Sequence, residues 1–428
     1  MTPPLRALLL LPSSAADRIV ASQDRWGWLN LRVDHAEQLA MVVGFSERER
    51  IIWPVTSPLL DAHYLRVADQ VARAGLWYRA RPDLHALWLA TAARSAQLAV
   101  DGFRQLIRGG WQPLPVDRAI PVLTWTEVDG QPAWQAWWAA RDGVIPANVH
   151  VIDETTDVFA PLTPAWPVQL LAEVLVTVIG VGSIGSAAAE ALAAYAVGHL
   201  ALIDPDRLLQ HNLARHRAGG RQLGRHKVHA IADQLAQRFP DLEVDPLPLN
   251  VVDDADVMRP LVARGDLVLV CADGVTPRRV ANHLAVWAHA PAVLACVLED
   301  GAVGEVLRVR PGSGSGCLLC HRAELQAAGR LDPQPGLDLP YGTGLQHRPM
   351  TAVGGDLALV GEFAAKAAVA TLLEARGYHD QRLQAEHAVI GLRPVPGLTP
   401  PYDVTRAGEV RWSPVGPPRP TCPTCRLA

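Results

Sequence analysis

Short apolar runs alternate with polar, helix-forming stretches throughout the second half of the chain. Runs rich in β-branched residues predict strands at residues 174–179, 200–203, 242–249, 267–271 and 292–297. Helical patterns lie between them at residues 187–196 and 226–239. Strands that alternate with helices predict an α/β fold with a doubly wound, mostly parallel sheet.

The first half of the chain has a different pattern. Strand-like runs occur at residues 7–11, 122–126 and 149–152, and helical signals at residues 59–75 and 85–107. The segment 160–167 contains three prolines and is predicted to be a linker. We therefore expect two domains: a separate α+β domain at residues 1–160 and the α/β domain at residues 168–428.

Tryptophan is concentrated in the first domain, which holds ten of the thirteen within the first 150 residues. The stretch 133–138 carries three of them and has two interpretations. It is either part of the core, which is the commoner fate of such aromatics, or a surface that binds a partner.

Composition excludes several classes of function. The net charge of −4 gives no global attraction to nucleic acid or to anionic lipid. No apolar segment reaches the uninterrupted length of a membrane span, and the N-terminal apolar run is too short for a signal peptide. We expect a cytoplasmic protein that binds neither nucleic acid nor membranes.

A glycine-rich turn follows the first predicted strand of the second domain. Gly180, Gly182 and Gly185 have the GxGxxG spacing, which lets the backbone approach a phosphate at the start of a helix. Asp204 ends the next strand, where a carboxylate accepts hydrogen bonds from ribose hydroxyls. These residues predict a Rossmann-like nucleotide site, but they fit a nicotinamide cofactor as well as ATP.

Polar residues farther along the chain favour ATP. Arg215 and Lys227 would supply cations for a triphosphate, and Asp273 would supply a hard oxygen ligand for a metal ion. A dehydrogenase does not need this set. Taken singly, the two cations would be interpreted as ordinary solvated charges.

In this order and spacing, residues 168–428 resemble the ThiF/MoeB superfamily, which shares its fold with ubiquitin-activating enzymes. The pattern comprises the three glycines, then Asp204-x-Asp206, Asn212-x-x-Arg215, Lys227, Asp273 and two CxxC pairs.

The resemblance implies a role for each position. Asp204 would hold the ribose, with Asp206 beside it in the cofactor site, and Asn212 would help to position the α-phosphate. Arg215 and Lys227 would contact the phosphates during adenylyl transfer. Asp273 would hold Mg²⁺.

The two CxxC pairs predict a metal site. Cys317, Cys320, Cys422 and Cys425 together offer four thiolates, enough to complete a tetrahedral site. A redox dithiol would explain one pair but not both. We expect structural Zn²⁺, and the resemblance agrees.

Many members of the superfamily pass the activated carboxylate to a cysteine in a crossover loop, here residues 321–351, which contains no cysteine. Three alternatives remain. The reaction stops at the acyl-adenylate; or Thr343 or Thr351 forms an ester with His347 as base; or Cys271 or Cys296 is the acceptor. The last is disfavoured, because both lie in apolar runs.

The resemblance implies that ATP activates the C-terminal carboxylate of a ubiquitin-like or sulfur-carrier protein. It also implies a downstream conjugating or sulfur-transfer protein and a homodimer. Alternatives are adenylation of a ribosomal peptide, with residues 1–160 as a clamp; a non-catalytic module that binds a leader peptide; and, last, a nicotinamide oxidoreductase. In the superfamily the N-terminal region binds substrate or is a degenerate copy of the fold.

One feature departs from the superfamily pattern. No arginine occurs between Asp157 and Glu173, where homodimeric members carry one that reaches the neighbour's ATP. Arg141 or another N-terminal residue replaces it, or the site lacks this arginine.

Overall fold

The computed structural model describes residues 7–34, 38–47, 52–54, 69–94, 96–108, 112, 119–153, 158–329 and 352–426. The chain divides into two compact units, residues 1–157 and 158–428. Among the described helices, none combines the length and the apolar character needed to cross a bilayer.

The described residues of the first unit form a nine-stranded sheet and three helices. Its elements in chain order are β1 (Leu8–Pro12), α1 (Ser13–Ala21), β2 (Trp26–Asp34), β3 (Leu39–Ser46), β4 (Ile52–Pro54), β5 (Asp69–Ala80), α2 (Asp83–Arg94), α3 (Val100–Leu106), β6 (Ile107–Arg108), β7 (Ile120–Val128), β8 (Gln131–Ala140) and β9 (Gly143–Ile152). The strand order is β1-β9-β8-β7-β5-β2-β3-β4, and the short strand β6 pairs with β5. Because β1 pairs with both β9 and β3, the sheet returns on itself.

The core of this unit uses both faces of the sheet. In β8, Trp137 is fully buried, whereas Trp134 and Trp138 are half-buried. Trp137 lies edge-on to Phe103 of α3, with ring centroids 5.1 Å apart. The Trp-rich stretch therefore contributes to the core.

Two helix predictions in the first unit were wrong in part. Residues 69–75, predicted to be helical, lie in β5, where Asp69, Gln70, Val71 and Gly75 pair with β2. Pairing with a neighbouring strand overrides the local helical signal. Residues 59–68 of that prediction lie outside the described residues.

The helix predicted at residues 85–107 is two helices. The backbone of Leu98 pairs with Val144 between α2 and α3, and Ile107 begins β6. The strands predicted at residues 7–11, 122–126 and 149–152 are confirmed as β1, β7 and β9.

The second unit is a three-layer α/β structure. Its elements are α4 (Val168–Ala172), β10 (Leu175–Ile179), α5 (Ser183–Ala194), β11 (His199–Ile203), α6 (Lys227–Arg238), β12 (Glu243–Leu247), α7 (Ala255–Arg264), β13 (Leu267–Val270), α8 (Val275–Trp287), β14 (Ala292–Leu298), β15 (Val303–Val309), α9 (Leu318–Ala327), α10 (Gly354–Ala375), β16 (His387–Gly391) and β17 (Val410–Ser413). Every strand predicted here from sequence is present.

The strand order β12-β11-β10-β13-β14-β15-β16-β17 has a parallel part and an antiparallel part. Strands β12 to β14 are parallel, whereas β15, β16 and β17 pair in antiparallel fashion. The prediction of an α/β chain with parallel strands is confirmed. The antiparallel extension was not predicted.

The direction of winding reverses between β10 and β13. The chain moves from β10 outward through β11 to β12, then returns to β13 on the opposite side of β10. In open α/β sheets, ligands bind beyond the carboxyl ends of the strands at such a reversal. The carboxyl ends of β10, β11 and β13 lead to Gly180, Asp204 and Cys271.

Apolar side chains cover both faces of this sheet. One cluster joins alternate strand residues to α5, α6 and α10, and the other joins the opposite residues to α7, α8 and α9. Helices α5 and α10 pack closely at Gly361. A Cβ there would lie only 2.3 Å from the carbonyl oxygen of Ile184, so the close approach requires glycine. This packing fixes α5, whose N-terminus follows the glycine-rich turn.

Candidate functional site

Gly180 and Gly182 lie in the turn between β10 and α5, and Gly185 lies in the first turn of α5; each is a glycine for a different structural reason. Gly180 has φ of 87°, and a Cβ there would lie 2.5 Å from the backbone nitrogen of Ala272. A Cβ on Gly185 would lie 1.8 Å from the carbonyl oxygen of Gly180. A Cβ on Gly182 would meet no atom within 4 Å. The fold thus requires Gly180 and Gly185, whereas Gly182 faces open space at the N-terminus of α5.

Asp204 lies beside this turn and is 6% exposed. Its Oδ2 accepts the backbone N–H of Val181 at 2.8 Å, and its Oδ1 accepts that of Asp206 at 2.9 Å. Burial raises the pKa of Asp204, while Lys227 acts in the opposite direction. A carboxylate has about four acceptor positions, so capacity remains for ribose hydroxyls.

Lys227 is the first residue of α6 and is also 6% exposed. Its Nζ lies 2.7 Å from Oδ2 of Asp206 and 3.9 Å from Oδ1 of Asp204. Burial alone would lower the pKa of Lys227, but Asp204 and Asp206, aided by Asp273, raise it above its ordinary value. The lysine is therefore a charged ammonium next to the turn.

Asn212 and Arg215 lie in a tight turn after β11. The side-chain Oδ1 of Asn212 accepts the N–H of Leu209 at 2.9 Å, and its carbonyl accepts the N–H of Arg215 at 3.0 Å. Arg215 is half-buried, and a Cβ on Gly354 of α10 would lie 3.0 Å from its Cα. The turn is thus held by its own hydrogen bonds and by the start of α10. The role of Asn212 towards a phosphate stays a prediction.

Asp273 lies just beyond β13, next to Gly274, whose φ of 85° lets the chain turn into α8. Its side chain is exposed, and its charge contributes to raising the pKa of Lys227. The structure therefore brings Asp204, Asp206, Lys227 and Asp273 into one electrostatic group. The magnesium role of Asp273 stays a prediction.

Sequence reasoning missed His216, which directly follows Arg215. It is 7% exposed; its Nε2 lies 2.8 Å from the carbonyl oxygen of Val181, and its Nδ1 lies 3.0 Å from the backbone nitrogen of Ala218. Its position directly after the Asn212-x-x-Arg215 motif was the one available signal. A histidine after an arginine carries no pattern of its own.

The four predicted metal ligands come together. Cys317 Sγ lies 3.7 Å from Cys422 Sγ, Cys320 Sγ lies 3.8 Å from Cys425 Sγ, and all four sulfurs lie within 4.8 Å of one another. Tetrahedral zinc–thiolate bonds of about 2.3 Å place sulfurs roughly 3.8 Å apart. The four residues fit a Cys₄ metal site.

Glu305, His321 and His387 form a second buried group with metal-ligand chemistry. Here, however, Arg322 bonds both carboxylate oxygens of Glu305, and the hydroxyl of Tyr402 donates to Oε1 at 2.7 Å. The carboxylate charge is already neutralised by an arginine, which disfavours a divalent cation there. The group is a buried ion pair with its hydrogen bonds.

The model of the ThiF family matches residues 161–379, about half of the chain. The chain belongs to the ThiF family.

Two curated relatives are similar over part of their length. Molybdopterin-synthase adenylyltransferase of Salmonella typhimurium is 34% identical over 137 residues, which cover 32% of this chain and 54% of the relative. Sulfur carrier protein ThiS adenylyltransferase of Escherichia coli is 31% identical over 153 residues, which cover 36% of this chain and 59% of the relative. The chain thus spans between half and three fifths of these relatives.

Among solved structures, the chain is similar to Escherichia coli MccB in complex with MccA-N7isoASN, with 20% identity and a TM-score of 0.45. The likeness covers 60% of this chain and 69% of that one.

Two of the three alternatives for the fate of the acyl group name an acceptor residue in this chain. Thr343, His347 and Thr351 lie outside the described residues. Burial raises the pKa of the Cys271 thiol, and it raises that of Cys296 to about 12 although Arg278 Nη1 lies 2.9 Å from its Sγ. Both thiols therefore stay protonated at neutral pH, which agrees with their being disfavoured as nucleophiles.

Proposed function

We propose that this chain is an ATP-dependent adenylyltransferase that activates the C-terminal carboxylate of a ubiquitin-like or sulfur-carrier protein. One observation carries the proposal. Asp204, Asp206 and Lys227 converge on the glycine turn at the reversal of the sheet, in a chain of the ThiF family. This arrangement brings together a carboxylate that can accept hydrogen bonds from a ribose, a cation that can contact phosphates, and an accessible helix N-terminus.

The reaction needs alignment and charge neutralisation more than acid–base chemistry. A carboxylate oxygen of the partner attacks the α-phosphorus of ATP, the bond to the bridging oxygen breaks, and pyrophosphate leaves with the electron pair. The partner's carboxylate is already ionised at neutral pH, so no general base is required. What remains is to hold the two anions together.

Each side chain has a distinct part in this step. Asp204 accepts the ribose hydroxyls, and Lys227 turns from Asp206 to the phosphates. Arg215 neutralises charge on the other side of the phosphates. Asp273 would hold Mg²⁺, which supplies further positive charge to the triphosphate when it is bound.

The nature of the partner is inferred from the family. The similar relatives are named for ThiS and for molybdopterin synthase, and both are named adenylyltransferases. Because the alignments span only part of these proteins, the partner of this chain is proposed by analogy of class.

Further proposals concern the rest of the molecule. The second unit is assigned a Rossmann-like adenylation fold. Residues 1–160 form a separate domain that binds the partner or its peptide, and Cys317, Cys320, Cys422 and Cys425 hold structural Zn²⁺. The chain acts as a cytoplasmic homodimer and transfers the acyl group to a downstream conjugating or sulfur-transfer protein.

ATP–pyrophosphate exchange with purified protein tests the proposal. The assay includes a panel of carboxylate partners, namely ubiquitin-like proteins that end in Gly-Gly and short peptides. We expect Mg²⁺-dependent exchange that requires one partner and is lost in Asp273→Ala. As a matched control, Asp256→Ala removes an exposed carboxylate at the start of α7 and should leave exchange unchanged.

If exchange occurs with a short peptide and with none of the ubiquitin-like proteins, the substrate is a peptide and the proposed protein partner is wrong. Absence of nucleotide binding in isothermal titration calorimetry would contradict the proposed enzyme and leave a non-catalytic ThiF-family binding module.

A further inference from the structure

Both backbone polar groups of Val181, between Gly180 and Gly182, are hydrogen-bonded by side chains. Its N–H donates to Oδ2 of Asp204 at 2.8 Å. Its carbonyl oxygen lies 2.8 Å from Nε2 of His216. The conformation of the glycine turn therefore depends on two side chains from the region after β11.

His216 also belongs to the turn that carries Arg215. Its backbone N–H donates to the carbonyl of Asn212 at 2.9 Å, the same oxygen that accepts the N–H of Arg215 at 3.0 Å. A single residue thus bonds the glycine turn through its ring and the arginine turn through its backbone.

The two ring contacts determine the protonation state of His216. Its Nδ1 accepts the N–H of Ala218 at 3.0 Å, so the proton is on Nε2, which donates to Val181. Burial lowers the pKa of His216 to about 4, and Lys227 acts in the same direction. A second proton on Nδ1 would place two N–H donors against each other. The ring is therefore a neutral, oriented connector at physiological pH.

We propose that His216 is a positioning residue for nucleotide binding, which holds the glycine turn and Arg215 in a fixed relation on two sides of the phosphate site. This inference rests on the proposed function. His216 touches no reacting atom in this account and acts through Val181 and through Arg215. Without the His216 ring, the glycine turn keeps only its hydrogen bond to Asp204. Nucleotide binding must then also order the turn, and the entropy lost in this ordering weakens binding.

The test is calorimetric titration with a non-hydrolysable ATP analogue and Mg²⁺, which needs no carboxylate partner. His216→Leu keeps the volume but loses both ring hydrogen bonds, and we expect its Kd to rise about tenfold. His216→Gln offers a donor and an acceptor on one planar group, and its Kd should stay within about threefold of the wild type.

Ser186→Ala is the matched control. Ser186 is fully buried, and its Oγ accepts the N–H of Arg217 at 3.3 Å, so its hydroxyl supports the same segment through a different hydrogen bond. Its Kd should not change. Binding by His216→Leu equal to wild type, or an equal loss in Ser186→Ala, would overturn the inference. If the wild type binds no nucleotide, the proposed function fails, and this inference fails with it.

Should His216→Leu not fold, the wild-type protein provides a second measurement. Nitrogen-15 NMR of labelled histidine, assigned by comparison with His216→Gln, should show His216 protonated on Nε2 alone between pH 5 and pH 8. A ring that titrates near its ordinary pKa of about 6.5 would contradict its role as an oriented connector.

Discussion

The ammonium nitrogen of Lys227 lies 2.7 Å from Oδ2 of Asp206. Both residues are positioned by the backbone of one connection, since the N–H of Lys227 donates to the carbonyl of Asp206 at 2.9 Å. The cation is thus held beside the glycine turn by a carboxylate whose side chain is 47% exposed. A polyphosphate has more negative charge than this carboxylate, so it can compete for the lysine.

Replacement of Lys227 tests this role. Lys227→Met should lower the rate of ATP–pyrophosphate exchange by two to three orders of magnitude, about the loss that follows removal of one preorganised charge-stabilising group. The sequence provides a matched control, because its other lysine is Lys366. Its Nζ lies 5.6 Å from the rings of Trp166 and Tyr195, in the second unit. Equal losses in Lys227→Met and Lys366→Met would contradict a specific role for Lys227.

The glycine turn allows a separation of folding from binding. Gly182→Ala adds a methyl group into open space, at a φ of −76° that any residue adopts, so the melting temperature should not change. ATP affinity should nevertheless fall, because the methyl group occupies the proposed phosphate space. Gly180→Ala should instead lower stability by roughly 1–3 kcal/mol, since it strains the backbone and meets Ala272.

Thermal melts and nucleotide titrations of the two variants should give opposite patterns. If Gly182→Ala binds ATP as tightly as the wild type, the nucleotide does not lie against this turn.

His216 makes the free energy of unfolding depend on pH. Its folded-state pKa of about 4 is below the unfolded value of about 6.5, so the unfolded chain binds more protons between these values. The contribution of the neutral His216 ring to the free energy of unfolding is fully present above pH 6.5 and is lost as the pH falls towards 4. Its slope is about 1.4 kcal/mol per pH unit.

Urea unfolding of wild type and His216→Gln between pH 4 and pH 7 measures this contribution. The variant should lose less stability than the wild type on acidification. Parallel curves for the two proteins would contradict a buried neutral His216.

Removal of one cysteine tests the metal site. Cys422→Ser should reduce the zinc content from about one ion per chain and lower the melting temperature, because metal binding is coupled to folding at such sites. A chelator should lower the melting temperature of the wild type in the same way. Cys271→Ser, which changes a cysteine outside the cluster, should retain zinc. No zinc in the wild type and an unchanged melt in Cys422→Ser would exclude a structural zinc ion.

Much of the second unit could be predicted because its signals are local. The β-branched run of β10, the glycines after it and Asp204 at the end of β11 each report on a neighbouring stretch of chain. The CxxC pairs indicate a metal site by their residue type and spacing alone. The structure then brings Cys317 next to Cys422, although 105 residues separate them.

The missed elements depend on distant partners. Strand β15 carries buried Glu305 and Arg308, which interrupt its apolar pattern. These charges are paired with Arg322, Glu374 and Glu386, and none of those partners is visible from the strand itself. In the same way, β5 is a strand because β2 and β7 flank it, and His216 has a role only because Val181 approaches it.

Transfer of an oxygen atom from the partner's carboxylate to AMP distinguishes adenylation from hydrolysis of ATP. A partner found by pyrophosphate exchange is labelled with oxygen-18 in its C-terminal carboxylate and incubated with ATP, Mg²⁺ and the protein, with hydroxylamine to capture the acyl group. Because the carboxylate oxygen attacks the α-phosphorus, the AMP released should carry one oxygen-18 atom by mass spectrometry. AMP without the label, formed at the same rate with or without the partner, would show hydrolysis of ATP by water and contradict adenylation.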